Sequence, residues 1–114
     1  MATIREDYCI EHDCLCIWCG ATPVSVHEIA RGIHRSKAFC DPCCWLPLCW
    51  NCNSGQFNDK SKWPEAKQLC LKKHRDFKYY DLPRYNMIVN FGSERITAQD
   101  VEVYDHEVQA AKKR

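Results

Sequence analysis

The sequence has no long apolar run, no internal repeat, no low-complexity segment and no strong net charge, which is +1. Its longest apolar stretch, Cys43 to Trp50, is far too short for a transmembrane helix, which needs about 20 apolar residues. The first residues are polar and charged and do not resemble a secretory signal peptide. We therefore expect a protein that neither spans a membrane nor is exported, and that works in a reducing compartment.

Cysteine, by contrast, is abundant, with ten residues in a chain of 114. A chain of this length forms one domain with a modest hydrophobic core, which cross-links or bound metal would reinforce. In a reducing compartment, paired cysteines indicate metal ligands before disulfides. Nine of the ten lie within residues 8–58. We expect a metal-binding part, residues 1–60, and a helical extension, residues 61–114, packed on it within a single domain.

Two Cys-x-x-Cys pairs stand out among these cysteines, with 29 residues between them. Two thiolates at this spacing bind one tetrahedral zinc ion, and a second pair completes the site. Four sulfur ligands leave no coordination position open, so the predicted Zn²⁺ is structural. Its predicted ligands are Cys16, Cys19, Cys49 and Cys52.

A third pair, Cys40 and Cys43, has the same spacing. The sequence leaves its role open. Three alternatives stay open. The pair could replace one of the two other pairs as zinc ligands, or join a second metal site with Cys9, Cys14 or His12. It could also be buried as small apolar side chains without a metal. For Cys44 and Cys70 we favour burial.

The segment between the two pairs predicts a short strand from Val24 to Ile29, with His27 and Glu28 on opposite sides. Residues 30–44 are predicted to be a loop or an irregular second strand. The second cysteine pair leads directly into Asn53 and is predicted to open a short helix that ends near Asn58.

Three segments together carry a family resemblance: Cys-Ile-Trp-Cys19, Val-His-Glu-Ile29 and Leu-Cys-Trp-Asn-Cys-Asn53. Over about residues 14–60 the chain resembles the HNH endonucleases, the zinc-binding branch of the ββα-metal nucleases. The resemblance implies an α+β fold with a small zinc-stabilised, treble-clef-like ββα-metal core and C-terminal helices. It also implies DNA cleavage with Mg²⁺ or Mn²⁺. The compact size is similar to phage or prophage members, which act in the cytoplasm of a bacterium or infected host.

Phosphodiester hydrolysis needs an activated water, a base and a cation on the phosphate. The resemblance implies that His27, Glu28 and Asn53 are catalytic and that His27 and Asn53 bind the cation. By register His27 is the ligand and Glu28 the base. By chemistry His27 is the better base, because histidine titrates near neutrality. Both assignments stay open, and Cys44 occupies the position where the family has a further Asn.

The same cysteines would also suit a protein of another class. A non-catalytic zinc-ribbon or treble-clef module would bind nucleic acid or protein without needing the three polar residues together. A third interpretation is an RNA-processing or toxin-like nuclease of HNH origin.

Basic residues are concentrated in the middle of the chain. Residues 31–37 contain no acidic residue, and residues 59–84 contain eight Lys or Arg against four Asp or Glu. Basic side chains bind DNA through its phosphates and position it without reading its sequence. The predicted DNA contacts are Arg31, Arg35, Lys37 and Lys60.

The second half predicts three helices: one capped by Ser61 and ending near Arg75, one from Asp81 to about Val89, and one from Thr97. The last has a narrow apolar stripe, spaced as on one helix face. That stripe packs either on the 62–75 helix of its own chain or, through residues 97–112, on a second copy to form a homodimer. Its members are Val101, Tyr104, Val108 and Ala111.

Overall fold

The structure is a computed structural model that describes residues 4–29, 38–90 and 95–110. Within these residues the chain is a small α+β protein with a two-stranded sheet. No helix among them is both long and apolar enough to cross a membrane. Some predicted features lie outside the described residues, namely Arg31, Arg35, Lys37 and Ala111.

The first half contains the sheet and the cysteine turns. Its elements are α1 (Ile4–Glu11), β1 (Ser25–Glu28), β2 (Trp45–Leu48), and α2 (Trp50–Cys52), which continues as a π-helical turn (Asn53–Phe57). The second half is helical, with α3 (Glu65–Arg75), α4 (Leu82–Val89), α5 (Ala98–Glu102) and α6 (Asp105–Ala110). Short 3₁₀ turns lie at Pro42–Cys44 and Phe77–Tyr79.

The two strands pair in antiparallel orientation, with His27 opposite Leu46 and Glu28 opposite Trp45. The first strand lies where the alternating pattern predicted it. The second strand directly follows residues 30–44, for which we predicted a loop or an irregular strand, and residues 30–37 of that range lie outside the described residues. All four of its residues are buried, so its sequence lacks the alternation that marks a half-exposed strand. Pro47 also argues against a strand, although its carbonyl accepts a hydrogen bond from Ile17 in the first cysteine turn.

Helix α3 lies between the sheet and the last two helices. Five consecutive residues, 68–72, are buried, and buried side chains from both halves of the chain form one hydrophobic cluster. The predicted N-cap at Ser61 is wrong, because α3 begins after Pro64. Ser61 instead donates its backbone N–H to the Asp59 carboxylate in the preceding turn.

The C-terminal segment forms two short helices where one was predicted. Thr97 begins α5, as predicted, and forms a capping box with Asp100. Val101 and Val108 are 0% and 1% exposed, and α5 and α6 both pack on α3. The two valines of the apolar stripe therefore pack on their own chain. A homodimer through residues 97–112 stays a prediction, and its interface would have to consist of other residues of this segment.

A buried ion pair joins α3 to the first half of the chain. Lys72 Nζ lies 2.6 Å from Asp76 Oδ2 and 2.6 Å from the Trp45 carbonyl oxygen. The Tyr8 hydroxyl donates to the same Asp76 oxygen, and His12 binds the other. Both members of the pair are almost fully buried. Hydrogen bonds at every charged atom offset the cost of removing these charges from water.

Burial lowers the pKa of Lys72, and Asp76 opposes that effect. Burial alone would raise the pKa of Asp76, but hydrogen bonds from His12 and Lys72 hold it below its ordinary value. Folding therefore favours the ionised carboxylate. Its contribution to stability is present above the ordinary Asp pKa of about 4 and is lost as the pH falls through the lower value of the folded state.

We predict that Asp76→Asn destabilises the protein by about 3–5 kcal/mol, because it leaves the Lys72 charge buried without its partner. The variant should also lose part of the acid-induced destabilisation of the wild type. Urea unfolding between acid and neutral pH measures both effects. Lys60→Ala, which removes an exposed pair with Glu65, is the control and should change stability little. Equal effects of the two substitutions would contradict the role given to the buried pair.

Candidate metal centre and active site

The two cysteine pairs meet at one place, as the sequence predicted. The first pair lies in a tight turn in which Gly20 donates to the Cys16 carbonyl and has φ 80°, a conformation that favours glycine. In the second pair, Cys49 precedes α2 and Cys52 ends it. The four sulfur atoms lie within 4.8 Å of one another.

The spacing of the sulfur atoms fits a tetrahedral metal ion. Cys19 Sγ and Cys49 Sγ are 3.6 Å apart, close to the roughly 3.8 Å that separates two sulfurs bound to zinc at about 2.3 Å. Cys16, Cys49 and Cys52 are buried and Cys19 is exposed. The donor set is therefore consistent with structural zinc.

The protein environment prepares one thiol for ionisation. Burial opposes ionisation of Cys16, but backbone N–H groups of both cysteine turns donate to its sulfur and lower its pKa to about 7. Burial instead raises the pKa of Cys52, and the other cysteines of the cluster raise it further. A bound cation would stabilise all four thiolates together.

The alternative cysteine ligands lie apart from this cluster. Neither Cys40 nor Cys43 belongs to a group of potential metal ligands within residues 4–29, 38–90 and 95–110. Cys44 is fully buried, as expected, and its carbonyl accepts from the Ile29 N–H at the end of β1. His12 binds Asp76 instead of a cysteine partner.

The structure places the side chain of His27 next to that of Asn53. The His27 ring is 4% exposed, and its Nδ1 lies 3.1 Å from Asn53 Oδ1. Its Nε2 lies 2.8 Å from Oε1 of Gln68 on α3. Gln68 was not among the predicted site residues, because no motif in the sequence includes it.

Gln68 determines which nitrogen of His27 carries a proton. The Gln68 side-chain amide donates to the carbonyl groups of Phe57 and Trp63, at 3.2 and 2.7 Å. Its oxygen must therefore accept, and His27 Nε2 must donate to it. In the neutral ring Nδ1 then carries a lone pair, and that lone pair faces the Asn53 oxygen.

The lone pairs of His27 Nδ1 and Asn53 Oδ1 repel each other, and three changes would relieve this repulsion. In the first, His27 is protonated and donates from both nitrogens. In the second, the Asn53 amide rotates so that Nδ2 donates to Nδ1, and in the third a cation binds both Nδ1 and Oδ1. The 3.1 Å separation matches the roughly 3.0 Å between neighbouring ligands of an octahedral ion with bonds of about 2.1 Å. The pair can therefore hold either a proton or a divalent cation.

Asn53 lies at the start of the π-helical turn. Such turns occur frequently at functional sites. Asn53 does not have the N-cap role that asparagine often has, because the N-cap of α2 is Cys49 and Asn53 follows the end of that helix. The turn ends at the buried Phe57, whose ring centroid lies 6.2 Å from that of His27. The backbone of Asn53 is therefore held between Cys52, the last cysteine of the cluster, and the buried Phe57.

Glu28 contacts a different part of the protein. Neighbouring residues of a strand face opposite sides, and the Glu28 carboxylate lies 3.4 Å from the Arg5 guanidinium on α1. His27, by contrast, contacts Asn53 and Gln68. A role for Glu28 as base would require its carboxylate to leave Arg5.

Several basic side chains of residues 59–84 form ion pairs or hydrogen bonds with other residues of the same chain. Lys60, a predicted DNA contact, pairs with Glu65 at the surface. Arg75 donates to carbonyl groups of the first cysteine turn, and Lys72 is buried. Lys78 and Arg84 pair with Glu11 and Asp41. The positive charge of this stretch is therefore a weaker indication of DNA binding than its composition implied.

We predict that Cys16→Ser loses a tightly bound zinc ion and unfolds the sheet and cysteine turns, because zinc sites of this kind contribute about 10 kcal/mol to folding. Zinc content by mass spectrometry and circular dichroism measure the two effects. Cys40→Ser is the matched control and should keep both metal and fold. A Cys16→Ser protein with unchanged zinc content and an intact fold would contradict the site.

Comparisons with protein-family models, with curated proteins and with solved structures find no significant match for this chain. The function must therefore be inferred from the residues and geometry of the site itself.

Proposed function

We propose that the protein is an endonuclease of the HNH type that hydrolyses DNA phosphodiester bonds with Mg²⁺ or Mn²⁺. In this proposal the β1–β2 hairpin and α2 form a ββα-metal core, with structural zinc bound by the four cysteines. The observation that carries the proposal is the 3.1 Å contact between His27 Nδ1 and Asn53 Oδ1. These two residues are 26 positions apart and belong to two segments that the cysteine cluster joins.

The residues fit a divalent cation, since one imidazole nitrogen and one amide oxygen are ligands that Mn²⁺ and Mg²⁺ accept. When bound, such a cation neutralises charge that develops on the phosphate. Gln68 keeps the proton of His27 on Nε2, so Nδ1 is the nitrogen available for this role. This supports the register-based assignment of His27 as a ligand.

The same geometry also supports proton transfer. A proton accepted at Nδ1 would be shared with Asn53 Oδ1, while Nε2 continues to donate to Gln68. Hydrogen bonds at both nitrogens stabilise an imidazolium, which is what a general base becomes. Glu28 enters the reaction only after its carboxylate separates from Arg5. Both residues therefore stay in the proposal, with His27 better placed.

The non-catalytic zinc module is retained as a second candidate because of the burial of His27. A side chain that is 4% exposed gives a substrate little access. Both ring nitrogens already face side-chain oxygens, an arrangement that also suits a purely structural histidine. In this alternative His27 and Gln68 fasten the hairpin to α3, and the protein binds nucleic acid or another protein without cleaving it.

We predict that zinc-loaded wild type nicks supercoiled plasmid DNA when Mg²⁺ or Mn²⁺ is added. His27→Ala should reduce the rate at least about 100-fold, the lower end of what loss of an acid–base group costs. Asn53→Ala should raise the Mg²⁺ concentration for half-maximal rate about tenfold or more. Gel assays of the initial nicking rate measure both effects.

Asn51→Ala is the matched control for Asn53→Ala, since Asn51 is an exposed residue of the same short helix. Zinc content and thermal unfolding of each variant separate loss of the site from loss of the fold. Full nicking activity in folded His27→Ala would reject the proposed site. DNA binding without cleavage in any cation would favour the non-catalytic module.

A further inference from the structure

A second group of metal-binding side chains lies where α6 contacts α3. Cys70 and His74 are four residues apart on α3 and therefore lie on one face of the helix. Asp105 is the first residue of α6. Its Oδ1 lies 3.3 Å from Cys70 Sγ and 2.8 Å from His74 Nε2. The three ligand atoms lie within 4.8 Å of one another.

The donor set suits zinc better than a hard cation. One sulfur, one imidazole nitrogen and one carboxylate oxygen form a mixed set that zinc binds in tetrahedral sites. Thiolate ligands disfavour Mg²⁺ and Ca²⁺, which prefer oxygen. With three protein ligands, a tetrahedral ion keeps one position for water.

The two distances to Asp105 Oδ1 require only a small adjustment. Zinc bonds of about 2.0–2.3 Å place neighbouring tetrahedral ligands about 3.4–3.6 Å apart. Asp105 Oδ1 must therefore move away from the other two atoms by a few tenths of an ångström. Its side chain is 37% exposed and that of His74 is 22% exposed, so both have room to move.

The Asp105 oxygen that would bind the metal, Oδ1, faces Cys70 and His74. Lys73 Nζ lies 3.9 Å from the other oxygen, Oδ2, and Oδ1 is the atom that contacts both Cys70 and His74. Cys70 is fully buried, so solvent would reach a bound ion from the side of His74 and Asp105, which are partly exposed.

We propose that Cys70, His74 and Asp105 bind a second zinc ion, with water as the fourth ligand, and that this ion fastens α6 to α3. The proposal does not depend on nuclease activity. The ion joins residues 35 positions apart, and it acts where the structure otherwise relies on the buried Val108 and on ion pairs such as Lys67–Glu107.

The test is zinc stoichiometry of the full, reduced chain by native mass spectrometry after zinc loading. Wild type should retain two ions. His74→Gln and Asp105→Ala should each retain one, because loss of a direct ligand should weaken binding beyond the roughly 10- to 100-fold that loss of an outer-shell partner costs. Calorimetric titration should show the second binding event only in wild type and controls.

His106→Gln and Glu102→Ala are the matched controls, since both residues are exposed on the same C-terminal helices. They should retain two ions. Circular dichroism confirms that each variant keeps its fold, and Asp105→Ala changes a partly exposed residue in case His74→Gln disturbs α3. A single ion in wild type, or two ions in either ligand variant, would overturn the proposal.

Discussion

The convergence of four cysteine sulfurs is the constraint on which the rest of the structure depends. The cluster brings the first cysteine turn, which precedes β1, next to α2. Asn53 directly follows Cys52, the last cysteine of the cluster. His27 lies on β1, between the two cysteine pairs in the sequence. Its side chain contacts Asn53 because the cysteine pairs hold the chain on both sides of β1 in place. A core of this size is modest, so the position of the candidate site depends on the cysteine cluster.

Helix α3 supplies the second support. Gln68 and Lys72 are one helical turn apart, and both are fully buried. Gln68 determines which nitrogen of the neutral His27 ring carries the proton, and Lys72 binds the carbonyl of Trp45, a residue of β2. Two polar side chains of one helix thus hold both strands of the hairpin. Their burial is tolerated because each polar atom has a defined partner.

Local signals in the sequence predicted much of the fold and part of the site. The cysteine spacing, the helix start at Thr97 and the alternation around His27 are short-range patterns, and each led to the right element. Strand β2 was missed because a fully buried strand has no alternation. Gln68 and Lys72 were missed because their partners lie 41 and 27 residues away, and nothing near them in the sequence distinguishes a buried polar residue from an exposed one.

The central claim is that His27 Nδ1 and Asn53 Oδ1 form a cation site. Anomalous diffraction from crystals soaked in Mn²⁺ tests it most directly, because the position of the ion is observed without reference to activity. The account predicts an anomalous peak within bonding distance of both atoms, with His27 Nε2 still bound to Gln68. A Mn²⁺-soaked crystal with no peak there, and with the Asn53 amide nitrogen donating to Nδ1, would contradict it and would make His27 a structural residue.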